Sequence, residues 1–246
     1  MNVNLVLQSF VVPICRINAE TKSIDRLFGT AFFTSVPGVF ITARHVYQEV
    51  SAQILSSNRG QYGLCVKGQN NENLFALLKK ENIEFAPNNL DIAIGRVDFA
   101  SKSPIKLVRE PLSFMQDVIT YGYPVAASAS EQIPNIACWM DMRGNKGYVN
   151  REIGTKAKAL IGGEADAELS FRIEAGMSGA PLFTSNQFHV GGVCIGTRTS
   201  EAYEHRINEN EKELRHLEYG VACMTSCISS WNPTILKKTE YEQLFL

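Results

Sequence analysis

The sequence predicts an all-β fold, and three observations carry that prediction. Short apolar runs recur along the chain, at Phe10–Ile14, Ala31–Thr34, Val39–Thr42, Ala93–Val97, Val118–Tyr121, Ala157–Ile161, Leu169–Ile173 and Val190–Ile195. Gly, Pro, Asn and Ser punctuate the gaps between them, the spacing of a barrel or sandwich. Helical patterning is confined to two places. Ser200–Glu218 is rich in helix formers, with Ser200 as an N-cap and a narrow stripe of Tyr203, Ile207, Leu214 and Leu217. The second helix is expected near the C-terminus, within Ser226–Trp231 or Leu236–Phe245, since Pro233 breaks any helix spanning both.

At the start of the chain, Met1–Leu7 has no positively charged leader and its apolar run stops at Gln8-Ser9, so it reads as a first strand. The run Ser101–Pro111, with two prolines, reads as a connection between two halves. There is no internal repeat and no low-complexity linker.

Composition bounds the function classes. Lys plus Arg is 24 and Asp plus Glu is 25 in 246 residues, a formal charge of −1 with no basic block. That balance gives no support to nucleic-acid binding. No stretch approaches the roughly 20 apolar residues of a membrane span. The six cysteines (Cys15, Cys65, Cys138, Cys194, Cys223 and Cys227) lack a zinc pattern. Several lie in apolar runs, as reduced thiols in a cytoplasmic protein do.

Three polar residues stand out against this background. Ser178 sits in Gly176-Met177-Ser178-Gly179-Ala180-Pro181, His45 follows the apolar run Val39–Ala43, and Asp91 heads the run Ile92-Ala93-Ile94. A serine hydroxyl is a weak nucleophile near neutral pH and needs a base to take its proton. That base needs a carboxylate to fix its tautomer and stabilise the imidazolium. Glycines 176 and 179 permit a tight turn that aims peptide N–H groups at one point, so the N–H groups of Gly176 and Ser178 are candidates for binding an oxyanion. Each residue alone has a plainer reading, as a turn serine, a surface histidine or a turn aspartate. Chain order separates the triad types. A Ser-acid-His order has no Asp after Ser178 to use, although a Glu could serve; an Asp-His-Ser order would have to use Asp25. His45, Asp91 and Ser178 form the best assignment, that of a hydrolase working through an acyl-enzyme.

At these residues the chain resembles the chymotrypsin/trypsin-like serine peptidases, especially compact bacterial HtrA-like protease domains. Gly29–Phe33 with Gly38–Val46 is similar to the strands leading to the family's histidine, Asp91–Ile94 to its aspartate strand, and Tyr121–Pro124 to a strand opening the second half. Gly176–Leu182 resembles the nucleophile loop. Val190–Gly196 and Tyr219–Val221 resemble the two walls of the primary specificity pocket. The resemblance implies two six-stranded antiparallel β-barrels, residues 1–105 carrying His45 and Asp91 and residues 106–246 carrying Ser178, with the site between them. It implies a protein or peptide substrate bound as an extended strand, with Cys194, Ile195, Gly196 and Gly220 as substrate-binding positions, and no metal or organic cofactor.

Arg172, six residues before Ser178, falls at the resemblance's pocket floor, where a buried guanidinium would select an acidic side chain. The competing reading has Glu174 neutralising it or the loop turning it to solvent. Met177 stands where secreted relatives carry an aspartate that pairs with a newly cut N-terminus, which argues against activation by propeptide cleavage. Val46 replaces the cysteine those relatives place after the histidine. A cytoplasmic protease must be restrained, which argues for a regulatory partner or an inactive resting geometry, and the 200–218 insertion is a candidate lid or docking surface. A role in bacterial stress or defence rests on analogy alone. The reading from another class is a catalytically silent peptide-binding module of the same fold.

Overall fold

Apolar runs of the kind that read as strands pair into two sheets in the computed structural model. It describes residues 6–18, 23–56, 60–68, 72–101, 103–124, 141–153, 165–184, 188–205 and 212–246. The first sheet is built from β1 (Val11–Asn18), β2 (Ile24–Phe33), β3 (Val39–Thr42), β4 (Gly60–Lys67), β5 (Asn73–Leu77), β6 (Ile83–Phe85) and β7 (Ala93–Arg96). Its order is β5-β4-β1-β2-β3-β7-β6, antiparallel throughout. This is seven strands curled as a half-barrel, with β5 and β6 at its edges, where a closed six-stranded barrel was expected.

The second sheet holds β8 (Lys106–Leu107), β9 (Asp117–Gly122), β10 (Arg143–Glu152), β11 (Ala167–Leu169), β12 (Pro181–Phe183), β13 (His189–His205) and β14 (Lys212–Met224). The order β12-β9-β10-β11-β14-β13 closes on itself because β12 also pairs with β13, giving a six-stranded barrel with β8 attached in parallel to β13. Closure removes the sheet's unpaired edges. Apart from β8, the pairings are antiparallel, which excludes the parallel sheet of an α/β-hydrolase.

The continuous apolar runs of β1 and β2 are buried on both faces of the sheet, with Val12, Ile14, Phe32 and Phe33 inside, and Ile41, Ile92 and Ile94 complete the same core. A second cluster, with Val118, Val149, Leu169, Met177, Leu182 and Cys194, fills the closed barrel. The C-terminal chain crosses back to the first sheet. Glu84 accepts hydrogen bonds from Thr234 N–H (2.7 Å) and Oγ1 (2.8 Å), and Arg96 pairs with Glu240 at 2.9 Å.

Three expectations change. Over the described residues 200–205 and 212–218 the expected charged helix gives way to strand: β13 and β14 run as one antiparallel ribbon, in register from Thr197 opposite Gly220 to His205 opposite Lys212. The helix formers there are overruled because the ladder begun by the buried strands at Val193–Cys194 propagates outward, and a strand already paired needs no new nucleus. The segment at 6–7 is helical, so the first strand begins at Val11. A helix that was not expected, α1 (Arg44–Ser56), starts beside His45. Its stripe Val46, Val50 and Ile54 has the four-residue spacing of a helix face, with Val46 and Val50 buried. The C-terminal helix, α2 (Lys238–Gln243), lies inside the expected window, and Thr225–Ile228 forms a 3₁₀ turn. The run at 157–161 and Cys138 lie outside the described residues.

Candidate active site

Asp91 enters the site from a tight turn. Leu90 N–H donates to Pro87 C=O (3.2 Å), and Asn88 and Asn89 both have left-handed φ, 57° and 56°. Two successive positive φ angles define a type I′ turn, which Asn tolerates well. Asp91 is then 4% exposed and must be paired to stay charged. Its partner is His45: Oδ1 accepts the His45 backbone N–H at 2.8 Å and Oδ2 meets Nδ1 at 2.5 Å.

The first of these contacts explains why α1 begins where it does. The opening N–H groups of a helix lack internal partners, and neither Ala43 nor Arg44 is a capping residue. The carboxylate from 46 residues away supplies the missing acceptor at the positive end of the helix dipole. One side chain thus anchors the helix and orients the ring. His45 presents 46% of its side chain to solvent, so its far edge is accessible.

Ser178 rides on two consecutive turns. Met177 N–H donates to Glu174 C=O (2.9 Å) and Ala180 N–H to Met177 C=O (3.0 Å), with Gly176 at φ 93° and Gly179 at φ 89° as the third residue of each. Positive φ at that position alone is the type II geometry. The three-residue spacing of the two glycines in the sequence therefore has a structural cause. Among the described residues, the N–H groups of Gly176 and Ser178 have no hydrogen-bond partner.

The turns pack directly on the strand pair that leads to His45. A Cβ on Gly179 would lie 2.0 Å from Thr30 O and 2.3 Å from Thr42 Oγ1, and one on Gly29 would lie 2.9 Å from Ser178 O and 2.7 Å from a Val46 methyl. Thus Gly179 packs against Thr42 and Ala43, while Ser178 O and Val46 both border the space beside Gly29. The Ser178 hydroxyl donates to Ile195 C=O at 3.1 Å. Ile195 is the extra residue of a β-bulge between Cys194 and Gly196, and the bulge takes it out of the β14 ladder. Asp25 sits elsewhere, paired with Arg16 at 2.7 Å.

The expected specificity residues separate into two groups. Cys194 is fully buried in the barrel core, its thiol donates to Thr120 Oγ1 (3.4 Å), and burial pushes its pKa up to about 12. Its backbone groups are taken by Gly179 N–H and Ala180 C=O, so Cys194 faces no substrate. Arg172 has 63% of its side chain exposed and pairs with Glu218 at 3.1 Å, so it is not a buried pocket floor. Glu174 pairs instead with Arg143 at 3.4 Å. Near Ser178, Gly196 faces open space, with nothing within 4 Å of an added Cβ. One residue on, Thr197 Oγ1 bonds both backbone groups of Ile173, at 2.7 Å to N and 2.8 Å to O. At Gly220 a Cβ would lie 2.5 Å from Phe171 O and 2.9 Å from Ile173 Cγ1, so the walls meet there.

Among the described residues no group of three His, Cys, Asp or Glu could hold a metal, and no helix is long and apolar enough to cross a membrane. Among the described residues Cys15, Cys65, Cys194 and Cys223 are buried, and Cys227 is exposed.

No family model matches the chain and no curated protein matches it in sequence. Solved structures do match in fold. The Rv3671c protease from M. tuberculosis, active form, is 18% identical over 93% of this chain and 82% of its own, with a TM-score of 0.54. Neuropsin, a serine protease of mouse brain, is 14% identical over 92% and 93%, with a TM-score of 0.55. The HtrA-type protease AlgW, solved with a decapeptide, is 11% identical over 91% of this chain and 63% of that one, with a TM-score of 0.53. The chain therefore has the chymotrypsin-like fold that serine proteases of the HtrA and trypsin-like types share.

Proposed function

We propose that this chain is a serine endopeptidase in which His45, Asp91 and Ser178 act as the triad. The observation that carries the reading is the Asp91 carboxylate, buried and bonded at once to the His45 backbone N–H and to Nδ1. A carboxylate on Nδ1 holds the proton there and leaves Nε2 as a base. Ser178 Oγ attacks the scissile carbonyl as Nε2 takes its proton. The oxyanion forms against the N–H groups of Gly176 and Ser178, and His45 then returns the proton to the leaving amine. Water repeats the sequence on the acyl-enzyme.

The space beside Gly196, with Thr197, Ile173 and Gly220 as its uncharged neighbours, suits a small uncharged side chain before the scissile bond, because none of these three can pair with a charge. Substrate lies as an extended strand beside Ile195–Gly196, and partner control of limited proteolysis remains part of the proposal. The competing reading, a silent peptide-binding module, draws on the Ser178 hydroxyl bonding to Ile195 C=O. The decisive test is covalent labelling of the purified chain by a fluorophosphonate. Labelling that disappears in Ser178→Ala supports the protease, and no labelling of the unaltered chain refutes it.

A further inference from the structure

We propose that Thr30, on β2 of the first sheet, is a positioning residue that holds the oxyanion-binding N–H groups of the second barrel in place; this rests on the serine-protease reading. Thr30 is fully buried and its polar groups are all used. Its hydroxyl donates to Gly176 C=O at 2.8 Å, across 146 residues, and accepts Tyr123 N–H at 3.0 Å. Its backbone N–H donates to Ser178 C=O at 2.8 Å, and its C=O accepts the Thr42 hydroxyl at 2.7 Å.

Thr30 can do this because β3 ends one pair short of it. The ladder closes with Ala31 opposite Thr42, so the next backbone groups of β2 on that side are left for the serine loop. The loop completes the ladder in place of a strand residue.

The consequence for the two N–H groups follows from peptide planarity. A carbonyl and the N–H that follows it share one rigid plane, so fixing the oxygen fixes the plane. In the serine loop, Glu174 C=O accepts Met177 N–H, and Met177 C=O accepts Ala180 N–H. Met177 C=O shares its plane with Ser178 N–H, and the two planes flanking that one, which carry Gly176 C=O and Ser178 C=O, are both held by Thr30. The Gly176 N–H lies in the next plane back, joined to the Gly176 C=O plane only through the φ and ψ of Gly176. Gly176 has no side chain to resist rotation, and its positive φ is one of several conformations open to glycine. The Thr30 hydroxyl selects among them. The same residue joins the loop to Tyr123 and Thr42, so it also sets the second barrel's donors against the strand that ends beside His45.

The test uses the full chain and the rate at which a fluorophosphonate inactivates it, because the phosphoryl oxygen of the adduct occupies the oxyanion position. Removing an oxyanion donor outright slows such enzymes about 10²–10³-fold, and misplacing one should fall short of that. Thr30→Val, which keeps the shape and deletes the hydroxyl, is expected to lower the maximal inactivation rate about 30-fold while leaving the half-saturating probe concentration unchanged. Thr30→Ser, which restores the hydroxyl, is expected within threefold of the unaltered chain. If Thr30→Val does not fold, Thr30→Cys carries the comparison, with a rate lying between the other two. A folded Thr30→Val that reacts within threefold of the unaltered chain overturns the proposal, as does a Thr30→Ser as slow as Thr30→Val. An unaltered chain that takes no label at all refutes the protease reading itself, before any variant is compared.

Discussion

Replacing Asp91 by Asn tests the site at its most constrained point. The carboxylate serves two donors, the His45 backbone N–H at 2.8 Å and Nδ1 at 2.5 Å. Asparagine offers one acceptor oxygen and one NH₂ group, so it can satisfy only one of them. If its oxygen keeps the backbone N–H, the NH₂ faces Nδ1 and forces the ring proton onto Nε2, where no base remains. If the amide turns over, the backbone N–H is buried against a donor, at a cost of about 1–3 kcal/mol. Loss of the negative charge at the start of α1 adds roughly 0.3–1 kcal/mol. The first outcome is the cheaper one for folding, so the variant should fold with about 1 kcal/mol less stability and react about 10⁴-fold more slowly, roughly 5.5 kcal/mol in the barrier. Urea unfolding measures the former, and the fluorophosphonate inactivation rate at constant pH measures the latter. An Asp91→Asn chain that reacts within tenfold of the parent would sink the assignment of His45 as the base.

Other changes follow from the same geometry. Gly179→Ala drives a methyl to within 2.0 Å of Thr30 O at a φ of 89°, and should cost more than about 3 kcal/mol in urea unfolding, from overpacking together with the left-handed backbone. Arg172→Ala should change stability by less than about 0.5 kcal/mol, because its ion pair with Glu218 is solvated. A peptide-library cleavage profile should show small uncharged residues before the cut in both chains, and a preference for Asp or Glu that Arg172→Ala abolishes would refute this. Burial raises the pKa of Cys65 and of Cys194 from 9.0 to about 12. Since the folded values lie above the unfolded ones, their contribution is complete below about pH 9. It is lost between pH 9 and 12 at up to about 1.4 kcal/mol per pH unit for each thiol, which urea titrations across that range would register.

The residues legible in sequence were those whose chemistry is local. The two glycines flanking Ser178 announced a turn because each must take positive φ within its own four residues. The apolar runs of β1, β3 and β7 announced strands because their cores lie on both faces. The ribbon of 197–205 and 212–220 was illegible because its conformation is imposed by the barrel strands it extends, and its Glu, Lys and Leu content speaks for a helix when read alone. Helix α1 was hidden for a related reason. Its N-terminal acceptor is Asp91, and only the Val46–Val50–Ile54 spacing betrayed it locally. Arg172 fell at the right separation from Ser178, yet a side chain's direction depends on Glu218 across the ribbon, which spacing does not encode. Thr30 left no signal, since its four bonds reach residues 42, 123, 176 and 178.

The double duty of Asp91 constrains how such a protein can be silenced. A lineage that gave up chemistry by changing this aspartate would also loosen the first turn of α1, whereas changing Ser178 sacrifices only a half-buried hydroxyl and its bond to Ile195 C=O. Inactive descendants of this chain should therefore retain the aspartate long after the serine has drifted, so a surviving acid in a homologue is a record of folding need and not of turnover.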